Sequence, residues 1–444
     1  MANLILFQQN DQPGVVPTTI PLGQLNINSA DGKVFLSKAL ATTIRSLGQT
    51  PDRFPGELFR TADTTLGPPS YIRADGTTYT SGTYPALDSI YGVATGGWDS
   101  GVTKLPNPSS LPTGGGCPPA YSGDGNYLAM GMSASPYIII YKRVGDVYTK
   151  LADPASLPPN ISRGVALSSD GTYLAVSCGS SPNLIIYKRS GDVFTRLTGN
   201  IDVLPGAGLS GYSVAISSDD LYFTLLVNAP GAGMFIYKRS GDNLTRISTG
   251  TTQPAQYAIK VDFSKDTTYM AISSWGSPYI HVYKRSGDTF TKLADPTPAA
   301  GGSSSQFSAS SFSPDGTYLA TSGPRIYKRS GDTFTGLSGL TMSDFYGAAW
   351  TPDGNYIATA LSSTPFIAVY KRSGDTFTRV PDFPVLPTQS GYGVAFSPDG
   401  QNLARDSLAT PFIDIYKSGT ATSTTVPNIA NPDAQSRIMI FTGS

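Results

Sequence analysis

Side chains that commonly carry catalysis or hold metal ions are scarce in this sequence. It contains one histidine, His281, and a single glutamate, Glu57, among 444 residues. A histidine-based triad, a multi-histidine metal site and a pair of catalytic glutamates are therefore nearly excluded. The two cysteines, Cys117 and Cys178, cannot form a disulfide framework or a cysteine-rich metal centre. We expect no catalytic residue, no metal and no cofactor.

The remaining reactive groups favour structural roles. His281 stands beside Val282 and Tyr283 in an apolar run, which is typical of a packed histidine. The N-terminal segment has no basic region and only a short apolar stretch, so we expect no signal peptide and synthesis in a reducing cytoplasm. In that compartment we expect two free thiols rather than a bridge.

Binding chemistry is better represented than catalysis. A turn containing aspartate recurs along the chain, and the residue seven positions before that aspartate varies widely in type: Cys117, Arg163, Tyr212, Ile259, Ser308, Tyr346 and Tyr392. Aromatic rings among hydroxyl groups suit sugars, because the C–H faces of a sugar stack on such rings. Our candidate ligand-binding residues are Arg163, Tyr212, Trp275, Tyr346 and Tyr392. We expect Tyr137, Tyr279, Phe366 and Phe412 to pack inside the protein.

These candidates lie within an internal repeat. The string Tyr-Lys-Arg-Ser-Gly-Asp recurs with small changes, its tyrosines being Tyr141, Tyr187, Tyr237, Tyr283, Tyr327, Tyr370 and Tyr416. Units of about 45 residues match the length of a four-stranded propeller blade. The unit Gly164–Leu197 divides into strands at Gly164–Leu167, Tyr173–Ser177, Asn183–Lys188 and Val193–Leu197, separated by turn residues. The repeat predicts an all-β fold containing a seven-bladed β-propeller.

The two faces of this propeller differ in composition. The short turns place 13 lysines and arginines against 13 aspartates on one face, which we expect to be a nearly neutral rim with cross-strand ion pairs. The longer loops on the other face carry the candidate binding residues. Lys plus Arg and Asp plus Glu both total 31, and no apolar run is long enough to span a membrane, so we expect neither nucleic-acid binding nor membrane insertion.

The pattern ALSSDGTYLAVS…IIYKRSGD resembles the degenerate blades of FG-GAP and WD-repeat propellers over roughly residues 101–419. It lacks the Trp-Asp end of WD repeats and the Asp-x-Asp-x-Asp-Gly loop of calcium-binding blades. The resemblance therefore implies the fold and no calcium site.

The flanks resemble bacteriophage tail proteins. The segment GQLNINSADGKVFLSKA (Gly23–Ala39) is similar to tail-fibre attachment segments, with two short strands around a turn. Tyr71–Gly92 resembles the tail-collar domain, with Ala74 where that family has cysteine, and the family's Val-Pro-Asn motif occurs only at Val426–Asn428. We therefore predict an attachment segment at 1–50 and a collar-like domain at 51–100 and 420–444, split around a propeller at 101–419. Gly101–Pro108 is expected to pair beside Tyr416 as a closing strand, with Thr420–Thr425 as the competing candidate.

The resemblance implies a virion tail fibre or receptor-binding protein. Its partners would be other phage tail proteins and a host cell-surface glycan or receptor, and a homotrimer is expected because tail fibres are usually trimeric. One alternative is a purely structural or decoration module of the tail. Another is a polysaccharide-degrading enzyme, for which Asp262 is the acid to watch, although an ion pair with Lys260 is the favoured role. A host-cell propeller unrelated to phage is a further alternative.

Overall fold

A computed structural model describes residues 97–99, 101–247, 252–298, 309–323 and 325–419 in full, and the backbone of nine short strands in the flanks. Contacts divide the chain into two units, residues 96–420 and residues 1–95 with 421–444. The first unit consists of seven four-stranded antiparallel sheets. The predicted all-β propeller is confirmed. Within the described residues, no helix is long and apolar enough to cross a membrane.

Each blade runs from an inner strand A to an outer strand D, in chain order for blades 1–6. Blades 1–3 comprise Pro119–Tyr121, Tyr127–Gly131, Ile138–Val144 and Val147–Lys150; Ser162–Leu167, Tyr173–Cys178, Leu184–Ser190 and Val193–Arg196; and Gly211–Ile216, Tyr222–Val227, Met234–Ser240 and Asn243–Ile247. Blades 4–6 comprise Ala258–Phe263, Tyr269–Ser274, Ile280–Ser286 and Thr289–Lys292; Ser310–Phe312, Tyr318–Thr321, Arg325–Ser330 and Thr333–Gly336; and Phe345–Trp350, Tyr356–Leu361, Ile367–Ser373 and Thr376–Arg379. Blade 7 comprises Val394–Phe396, Asn402–Asp406, Ile413–Lys417 and, as strand D, Thr103–Lys104.

The recurring string has a physical role at each position. The tyrosine is fully buried in strand C, and in blade 2 the Tyr187 hydroxyl donates to the Ser156 carbonyl at 2.8 Å, which anchors the incoming loop. In blades 2–6 the arginine lies over a tyrosine ring of the preceding blade, and in blade 2 the Arg189 guanidinium carbon is 4.5 Å from the Tyr127 ring centroid. The repeat therefore encodes contacts between blades as well as strands within them.

The lysines of the string form a closed ring of ion pairs on the short-turn face, with six aspartates of the string and with Asp99. These pairs join neighbouring blades, whereas we expected pairs across neighbouring strands of one sheet. The reason is that six of the aspartates lie in the turn between strands C and D, which reaches the lysine of the blade before it, and Asp99 takes the equivalent place in blade 7. The seven pairs, at 2.6–2.8 Å, are Lys142–Asp192, Lys188–Asp242, Lys238–Asp288, Lys284–Asp332, Lys328–Asp375, Lys371–Asp99 and Lys417–Asp146. Solvent screening keeps each pair weak, so the ring specifies register more than it stabilises.

The propeller closes through a strand from the N-terminal side of the repeat. Lys104 and Thr103 pair with Tyr416 and Lys417, as predicted for Gly101–Pro108. The preceding Trp98 is buried against blade 7, and Asp99 provides the sixth ion pair of the ring. Residues far apart in sequence therefore complete the last blade.

The described strands of the second unit form three small sheets. Phe7–Asn10, Leu25–Asn28, Lys33–Leu36 and Arg45–Ser46 form one, and the two short strands predicted within Gly23–Ala39 are confirmed by the antiparallel register of Leu25 with Leu36. Arg437–Phe441 lies between Leu58–Thr61 and Tyr71–Arg73, and Thr424–Thr425 pairs with Thr78–Tyr79. Segments on both sides of the propeller thus share sheets.

Candidate ligand-binding site

The variable residues lie where strand A begins, at the mouth of the central channel. In four blades the strand A to strand B register skips one residue, and the skipped residues are Arg163, Tyr212, Ile259 and Tyr346. A bulge of this kind removes a residue from the hydrogen-bond ladder and redirects its side chain. The backbone irregularity therefore explains why this one position is free to vary within a uniform repeat.

These residues surround a cavity of about 590 Å³. Arg163, Tyr212, Ile259, Tyr346 and Tyr392 all line it. Cys117 is instead buried, 1% exposed, and burial holds the pKa of its thiol well above the usual value. Ser308 lies outside the described residues. The cavity volume is within the range typical of small-ligand sites.

Trp275 does not line the cavity. Its ring makes an edge-to-face contact with Tyr257, with centroids 5.5 Å apart, and its backbone N–H donates to the Tyr257 carbonyl. Its assignment as a binding residue remains a prediction.

The cavity lining also includes side chains that sequence reasoning did not assign to a binding site, among them Ser133, Lys260, Leu408 and Phe412. Lys260 stands six residues before the turn aspartate Asp266, at a position where most other blades have glycine, proline or serine. A cation at this position departs from the repeat and could have indicated a binding residue. Phe412 was expected to pack in the interior. It has φ of +63°, an uncommon conformation for an aromatic residue, and forms part of the cavity wall.

Two tyrosines form an aromatic wall from blades 6 and 7. The rings of Tyr346 and Tyr392 meet edge to face with centroids 5.8 Å apart. Asp406 Oδ1 accepts hydrogen bonds from the backbone N–H groups of Tyr392 and Gly393, at 2.8 and 2.7 Å, which fixes the start of this strand. A Cβ atom on Gly393 would lie 2.4 Å from the Pro118 side chain, so only glycine allows blades 7 and 1 to approach this closely.

Two cations lie in the walls contributed by blades 2 and 4. The Arg163 guanidinium carbon is 5.3 Å from the Tyr212 ring centroid, a cation–π contact. Burial lowers the pKa of the Lys260 ammonium group. Neither residue has a carboxylate within 4 Å among the described residues. No acidic side chain lines the cavity among those residues.

Asp262 does not form the ion pair with Lys260 that we favoured. Its Oδ2 accepts the backbone N–H of Phe312 at 2.8 Å, which ties strand A of blade 4 to strand A of blade 5. Burial raises the pKa of Asp262 from 3.8 to about 6, against the opposing effects of this hydrogen bond and Lys260. Asp262 therefore acts here as a link between blades.

We expect Asp262→Asn to stabilise the propeller above pH 6, because the amide oxygen still accepts the Phe312 N–H without a buried charge. The folded-state pKa lies above the unfolded value, so the gain is absent below pH 4, grows between pH 4 and 6 and stays constant at higher pH. Its size near pH 7 is about 1–2 kcal/mol after solvent screening. Urea unfolding of both proteins at pH 4 and pH 7 measures it. An equal difference at the two pH values would contradict the prediction.

The described residues contain no group of three His, Cys, Asp or Glu side chains that could hold a metal ion. His281 is buried, as expected, and its Nε2 lies 3.2 Å from the Ser274 hydroxyl. Burial lowers the pKa of His281 to about 4, so the imidazole is neutral at pH 7. Cys117 and Cys178 are both free and buried.

Comparisons with known proteins support the fold. No protein-family model and no curated protein matches the sequence. Among solved structures, Kuenenia stuttgartiensis hydrazine synthase is similar at 15% identity with a TM-score of 0.53, covering 71% of this chain and 98% of that one. The Myceliophteria thermophila Cps50 (Swd1) β-propeller domain is similar at 12% identity with a TM-score of 0.52, covering 71% and 99%. At these identities the likeness extends to the propeller fold alone.

Proposed function

We propose that the chain is a phage tail fibre or receptor-binding protein whose propeller binds a host cell-surface glycan. The observation that carries this proposal is the cavity at the channel mouth, built from bulged positions that vary within an otherwise uniform repeat. A structural repeat needs no such variation, whereas a binding site does. The tail-like sequences of the flanks supply the virion context.

The chemistry of the cavity suits a sugar. Tyr346 and Tyr392 offer aromatic surface for the C–H faces of a sugar ring. Ser133, Arg163 and Lys260 also line the cavity and can donate hydrogen bonds to ring hydroxyls. Apolar surface with a few convergent polar groups is the usual composition of a small-ligand site.

In this proposal the N-terminal region attaches the chain to other tail proteins and the protein acts in the virion, after synthesis in the bacterial cytoplasm. A homotrimer would present three cavities. Several weak sites on one particle raise the overall avidity far above that of a single site. Modest affinity per cavity is therefore sufficient for host attachment.

We expect the fluorescently labelled full-length chain to bind a subset of bacterial strains and their extracted surface glycans. Tyr346→Ala and Tyr392→Ala are each expected to weaken that binding at least about tenfold, because truncating an aromatic anchor typically costs ~2 kcal/mol. Tyr346→Phe, which keeps the ring, serves as the matched control. Trp275→Ala tests whether the ligand extends beyond the cavity.

Two results would redirect the assignment. Absence of binding to every strain, with normal incorporation of the chain into tails, would favour the structural module. Release of reducing sugar ends from the bound glycan would instead favour the degrading enzyme.

A further inference from the structure

We infer that the glycan bound in this cavity carries an anionic group, recognised by Arg163 and Lys260. This inference rests on the proposed glycan function and adds the ligand class. The charge comes from either a carboxylate or a phosphate on the sugar, since guanidinium and ammonium groups bind both.

The first support is the arrangement of the cavity walls. Arg163 belongs to blade 2 and Lys260 to blade 4, while Tyr346 and Tyr392 belong to blades 6 and 7. In a ring of seven blades, these two pairs come from different arcs around the channel. A sugar ring stacked on the tyrosines can therefore direct a substituent toward the two cations.

The second support is charge balance. Lys417, on the short-turn face, pairs with Asp146 at 2.6 Å, like the lysines equivalent to it in the other blades. Arg163 and Lys260 have no carboxylate partner within 4 Å among the described residues. Two further carboxylates, Asp262 and Asp406, do not line the cavity, and their oxygens accept the backbone N–H groups of Phe312 and of Tyr392 and Gly393. Among the described residues, the side chains that line the cavity thus carry two positive charges and no negative charge.

The third support is the location of Lys260. This side chain is partly buried, which lowers the pKa of its ammonium group, and Asp262 and Asp406 oppose that effect only in part. Burying a cation without a close partner is costly unless a ligand completes its coordination. An anionic sugar supplies that partner at the channel.

The test compares three forms of the surface polysaccharide from the strain that binds best: native, carboxyl-reduced, and dephosphorylated with hydrogen fluoride. Affinities for the full-length protein are measured by biolayer interferometry at 50 and 300 mM salt. We expect one of the two treatments to weaken binding about tenfold or more, which identifies the anion. Arg163→Gln and Lys260→Gln should each weaken binding of the native polysaccharide similarly, and the double variant should lose most of the salt dependence.

Lys265→Gln is the matched control, because it removes the same charge from the exposed turn at the other end of the same strand. It should bind like the wild type. Equal affinity for all three polysaccharide forms, with Tyr346→Ala still defective, would overturn the anionic inference and leave the glycan function intact. Failure of the wild type to bind any native polysaccharide would overturn both.

Discussion

Replacing Trp98 by alanine is expected to lower the free energy of unfolding of the propeller by about 3–5 kcal/mol. The Trp98 side chain is 2% exposed, and its Nε1 donates to the Gly400 carbonyl at 3.1 Å. Its ring lies 5.1 Å from the Phe396 centroid and 6.0 Å from that of Phe383. Alanine would leave a large void in blade 7 and an unpaired carbonyl.

The loss should act on ring closure as well as on packing. Trp98 precedes the short closing strand, which pairs at Tyr416–Lys104 and Lys417–Thr103 and is also held by the Lys104–Asp414 ion pair. Faster amide hydrogen exchange at Leu105, whose N–H donates to the Ile415 carbonyl, would report loosening of this strand.

Phe194→Ala is the control for Trp98→Ala. Phe194 is equally buried in strand D of blade 2, but all four strands of that blade are contiguous in sequence. It should destabilise the protein without accelerating exchange at Leu105. A change of less than about 1 kcal/mol for Trp98→Ala in urea unfolding would contradict a closing role for this residue.

The second large effect is expected at a buried ion pair in blade 7. Arg405 is fully buried, and its Nη1 lies 3.2 Å from Asp414 Oδ2, while Lys104 Nζ lies 2.6 Å from Asp414 Oδ1. Asp414→Ala would leave the Arg405 charge buried without its carboxylate. We expect a loss of about 3–5 kcal/mol in the free energy of unfolding.

Blade 2 provides the matched rescue for this pair. Arg405 and Asp414 are cross-strand partners, and the corresponding partners in blade 2 are Val176 and Ile185. The double variant Arg405→Val with Asp414→Ile should recover wild-type stability or exceed it, because burying two apolar side chains avoids desolvating two charges.

Urea unfolding of the single and double variants measures the coupling between Arg405 and Asp414. Additive losses in the double variant would show that the two residues do not act as a pair. If Asp414→Ala is as stable as the wild type, Arg405 has found another partner.

The strands and turns of the repeat could be predicted from the sequence because the patterns that specify them are local. Each strand of blade 2 was predicted within two residues of its observed bounds, from alternating apolar residues and from turns such as Ser168–Gly171. In that turn Asp170 Oδ1 accepts the Thr172 N–H at 2.8 Å, and Gly171 has φ of +67°. Contacts of this kind depend on neighbours in sequence, so the sequence alone indicates them.

The residues of the cavity could be predicted from the sequence only in part. A fixed distance from the turn aspartate located Arg163, Tyr212, Tyr346 and Tyr392, because a regular repeat brings equivalent positions to one level of the channel. This spacing in sequence could not indicate the bulges at Arg163, Tyr212 and Tyr346, because the register of strand A depends on its pairing with strand B.

By itself, then, the sequence determined the seven units, their four strands, their turns and the level at which the variable residues lie. Only the tertiary structure decided which residues meet across blades. Lys371 and Asp99 are separated by 272 residues and pair only when the ring closes. Lys260 and Phe412 share one cavity because strand A of blade 4 and a loop of blade 7 converge at the channel. The reason is that ring closure brings together groups whose separation no local pattern encodes.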